Sequence, residues 1–183
     1  MKQKCEAPNH MQLTKLIFVL GGASSGKSAY ALNLCEASTP RAFLATGEPL
    51  DAEMSRRIHA HQKARGKTWE TIEIPLHVAD WFEQEGHRYA AVLLDCLTLW
   101  LSNLQRDGVR TRQVLTRTKA LLRAVRWVSG RVVIVSNELG LGLVPGDLVS
   151  RQFRTVAGQM NQLVAAAADE VHLVVSGLPL RLK

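Results

Sequence analysis

Residues Gly21-Gly22-Ala23-Ser24-Ser25-Gly26-Lys27-Ser28 constrain this chain more than any other stretch. They spell G-x-x-x-x-G-K-[ST], the pattern of a phosphate-binding loop. Leu16-Ile17-Phe18-Val19-Leu20 precedes it as an apolar run of strand length, and Ala29 to Leu34 continues it as good helix. Strand, glycine loop and helix is the context such a loop requires. Glycines let successive backbone N–H groups converge on an anion, and the helix N-terminus adds its partial positive charge. Lys27 is expected to reach the β- and γ-phosphates, and the Ser28 hydroxyl to hold Mg²⁺. A nucleoside triphosphate is the ligand this chemistry suits.

Further strands are expected at Arg41–Ala45, Tyr89–Asp95, Arg131–Ser136 and Glu170–Ser176. Several are apolar throughout instead of alternating, which suits parallel strands covered on both faces. The intervals between them are long enough for helical crossovers. The fold class is therefore α/β, of the P-loop NTPase type, with a mainly parallel central sheet and helices on both faces. Polar and glycine residues follow the strands: the phosphate loop, Thr46-Gly47, Asp95, Asn137-Glu138 and Ser176-Gly177. Open α/β sheets bind ligands at the carboxyl ends of their strands, so these five ends point to one shared site.

At 183 residues the chain suits one domain, read as 15–183, preceded by a polar extension over residues 1–14. That extension has no apolar core of signal type, and no apolar run approaches the ~20 residues that span a bilayer. Cys5, Cys35 and Cys96 are odd in number and widely spaced, which fits free thiols and a cytoplasmic setting. The net charge of +7 suits polyphosphate ligands, and no aromatic-rich RNA-binding signature accompanies it. Arg112, Lys119, Arg123 and Arg126 share one helical face, with Val114, Leu121, Val125 and Val128 opposite. That pattern reads first as a solvated helix flank.

Asp51 to Gly66 is the most unusual segment, a helix with Asp51 as N-cap and Gly66 after its end. Met54, Ile58, His61 and Arg65 fall on one stripe, Arg57 stands a turn before His61, and His59 points nearly the opposite way. Spacing alone leaves His61 open between a surface histidine and a catalyst. Asn137 to Gly146 is too rich in glycine for a helix and reads as a long loop at a strand's carboxyl end, a place where function or ligand closure concentrates. Arg151, Arg154 and Asn161 follow on a helix, as solvated flank or substrate contact.

Together these stretches resemble one family, the bifunctional adenosylcobinamide kinase/adenosylcobinamide-phosphate guanylyltransferases of cobalamin biosynthesis. The resemblance runs from Leu16 to the C-terminus. Beyond the phosphate loop it rests on Ala45-Thr46, Asp51 to Met54, Arg57-Ile58-His59-Ala60-His61 and Trp69 to Glu73. It continues through Asp95 to Asn103, Asn137-Glu138 to Val144-Pro145, Arg151 to Arg154, Ala157-Gly158, Asn161-Gln162, Ala168 to Val171 and Gly177-Leu178-Pro179.

The resemblance implies two reactions. A nucleoside triphosphate, ATP or GTP, phosphorylates adenosylcobinamide; GMP from GTP is then transferred to adenosylcobinamide phosphate through a guanylyl-histidine. The family's R-I-x-x-H pattern makes that histidine His61. Nucleotide contacts are implied at residues 21–28, at Ala45, Thr46 and Gly47, at Gln62, Lys63, Ala64 and Arg65, and at Glu73 and Asp95. Mg²⁺ falls to Ser28 and Asp95, although Glu138 competes with Asp95 for the metal or nucleotide-orienting role. Gly66 stands where a proline is common and Asp95 where some members have glutamate. A homo-oligomer, specifically a trimer, is also implied, with neither nucleic acid nor stable membrane insertion. The rival readings are a kinase of another small hydroxyl compound and a nucleic-acid-stimulated ATPase, the latter prompted by the sequence pI of about 9.7.

Overall fold

The computed structural model describes residues 14–65 and 68–183, and for Arg57 and Ala64 only the backbone. The extension over residues 1–13, including Cys5, and the expected cap at Gly66 lie outside the described residues. Thr14 is buried and donates its hydroxyl to the Val128 carbonyl at 2.6 Å.

One sheet of seven strands forms the centre, in the order β3-β2-β4-β5-β1-β6-β7. Its members are β1 (Lys15–Gly21), β2 (Arg41–Ala45), β3 (Glu70–Glu73), β4 (Ala91–Asp95), β5 (Arg131–Asn137), β6 (Glu170–Val175) and β7 (Leu178–Arg181). All pairings are parallel except β6 with β7. The five strands expected from apolar runs are present, and two more flank them. β3 exposes all but Ile72, and β7 exposes every residue of Leu178-Pro179-Leu180-Arg181. Edge strands need no continuous apolar run, so hydrophobic patterning does not betray them.

Alternate residues of β1 face two separate cores. Leu16, Phe18 and Leu20 join the larger one, with α3 (Val78–Glu85), α4 (Leu97–Arg106), α5 (Thr111–Ala124) and α6 (Leu148–Ala167) packed on that face. Ile17 and Val19 face the smaller core, covered by Ala31 and Cys35 at and after α1 (Lys27–Leu34). This is the two-sided covering expected of a parallel sheet. Trp100 of α4 is fully buried and donates its indole N–H to the Leu76 carbonyl at 2.9 Å. Losing such a side chain costs about 3–5 kcal/mol. On α5, Val114 and Leu121 are buried while Arg112, Lys119 and Arg123 are exposed, the arrangement of an amphipathic surface helix.

The remaining helix, α2 (Ala52–Arg65), behaves differently. Its start is capped as expected, the Met54 N–H donating to the Asp51 carboxylate at 2.7 Å. None of its described apolar side chains joins either core. Its apolar stripe faces the carboxyl ends of the strands instead. No helix of the described residues is long and apolar enough to cross a membrane.

Candidate active site

The sheet register brings the site together. Ala45 pairs with Glu73 on one side and with Asp95 on the other, so three strands end level. Gly21 pairs with Asn137 on β5 and Val174 on β6, so the phosphate loop leaves the sheet's middle at the same rim. Gly26 lies at φ 89°, a left-handed conformation that swings the chain into α1. Lys27 and Ser28 therefore open the helix, where backbone N–H groups lack helical partners. The mostly buried Lys27 ammonium donates to the Gly22 carbonyl at 3.0 Å. Ser28 and Asp95 both line a cavity at this end of the loop.

A cavity of about 160 Å³ opens at this rim. Of the residues expected to bind nucleotide or catalyse, Lys27, Ser28, Ala45, Gly47, His61, Gln62, Arg65, Glu73 and Asp95 line it. Met54 and Ile58 of α2 line it too, so the stripe of Met54, Ile58, His61 and Arg65 faces the cavity as a unit. His61 is exposed to solvent there. His59 is outside the lining, and its Nδ1 is 2.8 Å from the Ser55 carbonyl. The two histidines thus part ways, as a separation of about 160° on a helix demands.

Other expected contacts fall elsewhere. Gly22, Ala23, Ser24 and Gly26 are exposed on the loop, while Gly21 and Ser25 are buried in it; none of these six lines the cavity. Lys63 is exposed beyond the lining, and the side chain of Ala64 lies outside the described residues, as does that of Arg57. Thr46 is fully buried. Its hydroxyl donates to the Cys96 carbonyl at 2.7 Å and accepts from the Cys96 N–H at 2.8 Å, while its own carbonyl accepts from Asn103. Its side chain is committed to the fold.

The electrostatics are those of a site prepared for charge. Burial pushes the Asp95 carboxyl up, against the Ser28 hydroxyl and the charges of His61, Lys27 and Arg65. Burial likewise lowers Arg65, with Asp95 opposing. The Arg65 guanidinium lies 3.7 Å over the Phe43 ring, and its buried Nε–H has no hydrogen-bond partner among the described residues. A buried donor left unmatched is costly, and a phosphate oxygen would satisfy it. Cys96 also lines the cavity, but burial first and Asp95 second push its thiol up to about 12. It is no thiolate near neutrality, whereas the His61 imidazole is exposed on the same lining.

Phe43, Cys96, Leu99 and Asn137 complete the wall. Asn137 was visible as a polar strand end. Phe43 and Leu99 sit within apolar runs that gave no sign of facing a cavity.

The glycine-rich loop after β5 bounds a second cavity, of about 580 Å³, lined by Glu138, Val144, Pro145, Arg154 and Gln162 among others. Glu138 accepts from the Gly140 N–H at 2.5 Å and lines this cavity, not the first. Arg151 donates to the Pro145 and Gly146 carbonyls at 3.0 and 2.7 Å, and Arg154 to the Leu143 carbonyl at 3.0 Å. These arginines hold the loop onto α6, an employment that neither sequence-level alternative included. Asn161 is buried and donates to the Asn137 carbonyl at 3.2 Å.

Comparison with solved structures shows the same fold. A KaiC-like protein from Pyrococcus horikoshii superposes with a TM-score of 0.51 at 13% identity, over 89% of this chain and 71% of that one. The RadB recombinase does so with a TM-score of 0.52 at 12% identity, over 88% and 74%. At such identities the likeness concerns the P-loop α/β architecture alone.

Sequence comparison reaches further. The chain is 40% identical to the bifunctional adenosylcobalamin biosynthesis protein CobP of Pseudomonas aeruginosa over 90% of its length and 95% of the relative's. It is 36% identical to the corresponding CobU protein of Escherichia coli over 92% and 99%. To CobU of Salmonella typhimurium the figure is 37%, with the same coverage. The profile describing cobinamide kinase / cobinamide phosphate guanyltransferase matches residues 17–182, from within β1 to beyond β7. By that match and by these full-length relatives, the chain belongs to the cobinamide kinase / cobinamide phosphate guanyltransferase family.

Proposed function

We propose that this enzyme of cobalamin biosynthesis phosphorylates adenosylcobinamide with ATP or GTP and then transfers GMP from GTP to the product. The observation that carries the mechanism is that His61 opens on the same cavity as Lys27, Ser28 and Asp95. In the first step the acceptor hydroxyl attacks the γ-phosphorus and the nucleoside diphosphate leaves. Lys27 stabilises the charge that develops on the phosphates. In the second, a neutral imidazole nitrogen of His61 attacks the α-phosphorus of GTP, and pyrophosphate leaves as the α–β bridge breaks. An oxygen of adenosylcobinamide phosphate then attacks the same phosphorus. The P–N bond breaks, giving adenosylcobinamide-GDP and regenerating the imidazole. Arg65, whose Nε–H is unmatched among the described residues, is suited to hold the phosphate passing between the two steps.

Mg²⁺ fits the residues present. Ser28 and Asp95 form a small, hard oxygen set, and no group of three or more His, Cys, Asp or Glu among the described residues could cage a metal unaided. A cation completed by substrate phosphates and water suits one carboxylate and one hydroxyl, and when bound it would neutralise polyphosphate charge there.

The cavity beneath Glu138–Gly146 supports acceptor entry from that side, next to Asn137. Leu141, Leu143, Val144, Leu148 and Val149 are exposed there, which supports the homotrimer implied by the family and is checked by sedimentation. We place the enzyme in the cytoplasm. The test of function is incubation with α-labelled GTP, denaturation, and treatment with acid or alkali. Acid-labile, alkali-stable label is expected of a phosphoramidate. Absence of protein-bound label would leave an ordinary kinase.

A further inference from the structure

We infer that the turn between β6 and β7 positions the phosphate loop, with Gly177 as the positioning residue. The turn consists of Ser176 at φ 51° and Gly177 at φ 83°, the pair of positive values that closes a two-residue hairpin of the I′ kind. It joins antiparallel strands whose register runs from Val175–Leu178 to His172–Arg181. β6 lies directly beside β1, with Val174 opposite Gly21. The turn is therefore carried to the point where the phosphate loop leaves the sheet.

Two contacts meet there. The Gly177 N–H donates to the Ser25 carbonyl at 2.8 Å. Gly26 packs so closely that a Cβ built on it would stand 3.1 Å from the Gly177 α-carbon. Ser25 and Gly26 are the residues immediately before Lys27. Their backbone decides where the ammonium and the first N–H groups of α1 are presented. A second tie lies further along the same elements. The Tyr30 hydroxyl of α1 is 3.1 Å from Nδ1 of His172 on β6. The hairpin thus grips the loop at one end and its helix one turn later. The antiparallel hairpin backs a glycine loop whose backbone is otherwise free to adopt several conformations.

The inference requires only that the loop binds a nucleotide, so it is separable from the guanylylation chemistry proposed above. A matched control exists within the chain. Gly108 closes α4 at φ 79°, and a Cβ there meets nothing within 4 Å, as at Gly177. Valine is strained equally at both positions, but only Gly177 touches the phosphate loop. In the full chain, Gly177→Val is expected to weaken binding of a fluorescent GDP analogue by about fivefold to tenfold, the effect of one misplaced hydrogen-bonded contact. The KM for GTP should rise with it. Gly108→Val should lose similar thermal stability with unchanged affinity. Gly177→Asn, which tolerates positive φ, should restore wild-type binding. Should Gly177→Val fail to fold, Gly177→Ala is read the same way, with a weakening of about threefold expected. Affinity in the valine variant, or in the alanine variant standing in for it, equal to that of Gly108→Val would overturn the inference. So would a Gly177→Asn variant as impaired as the valine one.

Discussion

The side-chain amide of Asn103, on α4, donates to the carbonyl of Thr46 at 2.7 Å and to that of Pro75 at 3.1 Å. One buried residue thereby ties the loop that leads into α2 to the loop that follows β3. Both loops adjoin the first cavity, which Gly47 and the last residue of β3, Glu73, help to line. Replacing Asn103 with leucine preserves bulk but strands two carbonyls. Each such group costs about 1–3 kcal/mol. We expect a loss of about 2–4 kcal/mol, seen as a melting temperature lower by roughly 10 °C. A melt within ~2 °C of wild type would show the tie to be dispensable.

The proposed guanylyl-histidine is tested by comparing the two histidines of α2, of which only His61 lines the cavity. His61→Ala is expected to abolish retention of α-phosphate label on denatured protein, and with it overall GMP transfer. His59→Ala should keep both, because its ring is held against the Ser55 carbonyl outside the cavity. Phosphorylation of adenosylcobinamide should persist in the His61 variant, since that step needs no covalent histidine. Label surviving in His61→Ala would assign the nucleophile elsewhere.

Lys27→Ala should lower kcat/KM for the kinase step by about a hundredfold or more, as loss of a transition-state charge donor does. The fold should tolerate it, because the ammonium serves the loop's rim and no core depends on it. The assay is purified-protein kinetics beside a thermal melt. Wild-type turnover in this variant would contradict the assignment.

Glu170 gives the pH dependence of stability a definite sign. Lys15, 2.7 Å away, holds its carboxyl below the usual carboxylate range, with His172 and Arg181 adding to the effect and burial opposing. A carboxylate with depressed folded-state pKa stabilises above its unfolded value, about 4.3, and that contribution is lost as pH falls through the folded value. Glu170→Gln should therefore melt about 2–4 °C lower at pH 7, corresponding to ~1 kcal/mol for a partly exposed pair. The gap should close below about pH 4. A gap that stays constant across this range would mean that packing, not charge, is lost.

Arg154 should govern the loop after β5. With Arg154→Ala the carbonyl of Leu143 loses its donor, and limited proteolysis between Gly140 and Gly146 should accelerate. Unchanged cleavage would mean that Arg151 alone holds the loop.

Much of this protein was legible along the chain. The phosphate loop, the five apolar strands and the α2 stripe are local patterns, set by residue type and by periods of 2 and 3.6. His61 stood out from His59 because two helical residues cannot face the same way, and the R-I-x-x-H resemblance then chose between them. What no local pattern carries is which elements become neighbours. β3 and β7 were missed because edge strands are defined by the strand beside them, not by their own hydrophobicity. Along the chain Thr46 is a polar residue at a strand end; only the sheet shows that Cys96 and Asn103 stand against it and engage its hydroxyl and carbonyl. Arg151 and Arg154 looked like solvated or substrate-binding cations until α6 placed them under the carbonyls of a loop several residues away. Gly177, more than 150 residues from Ser25, became part of the phosphate loop's support only through the pairing of β6 with β1. Residue type and spacing determine what each segment can do. Backbone groups left unsatisfied at strand ends and loops find their partners only when the sheet closes, and that pairing is decided by the tertiary structure.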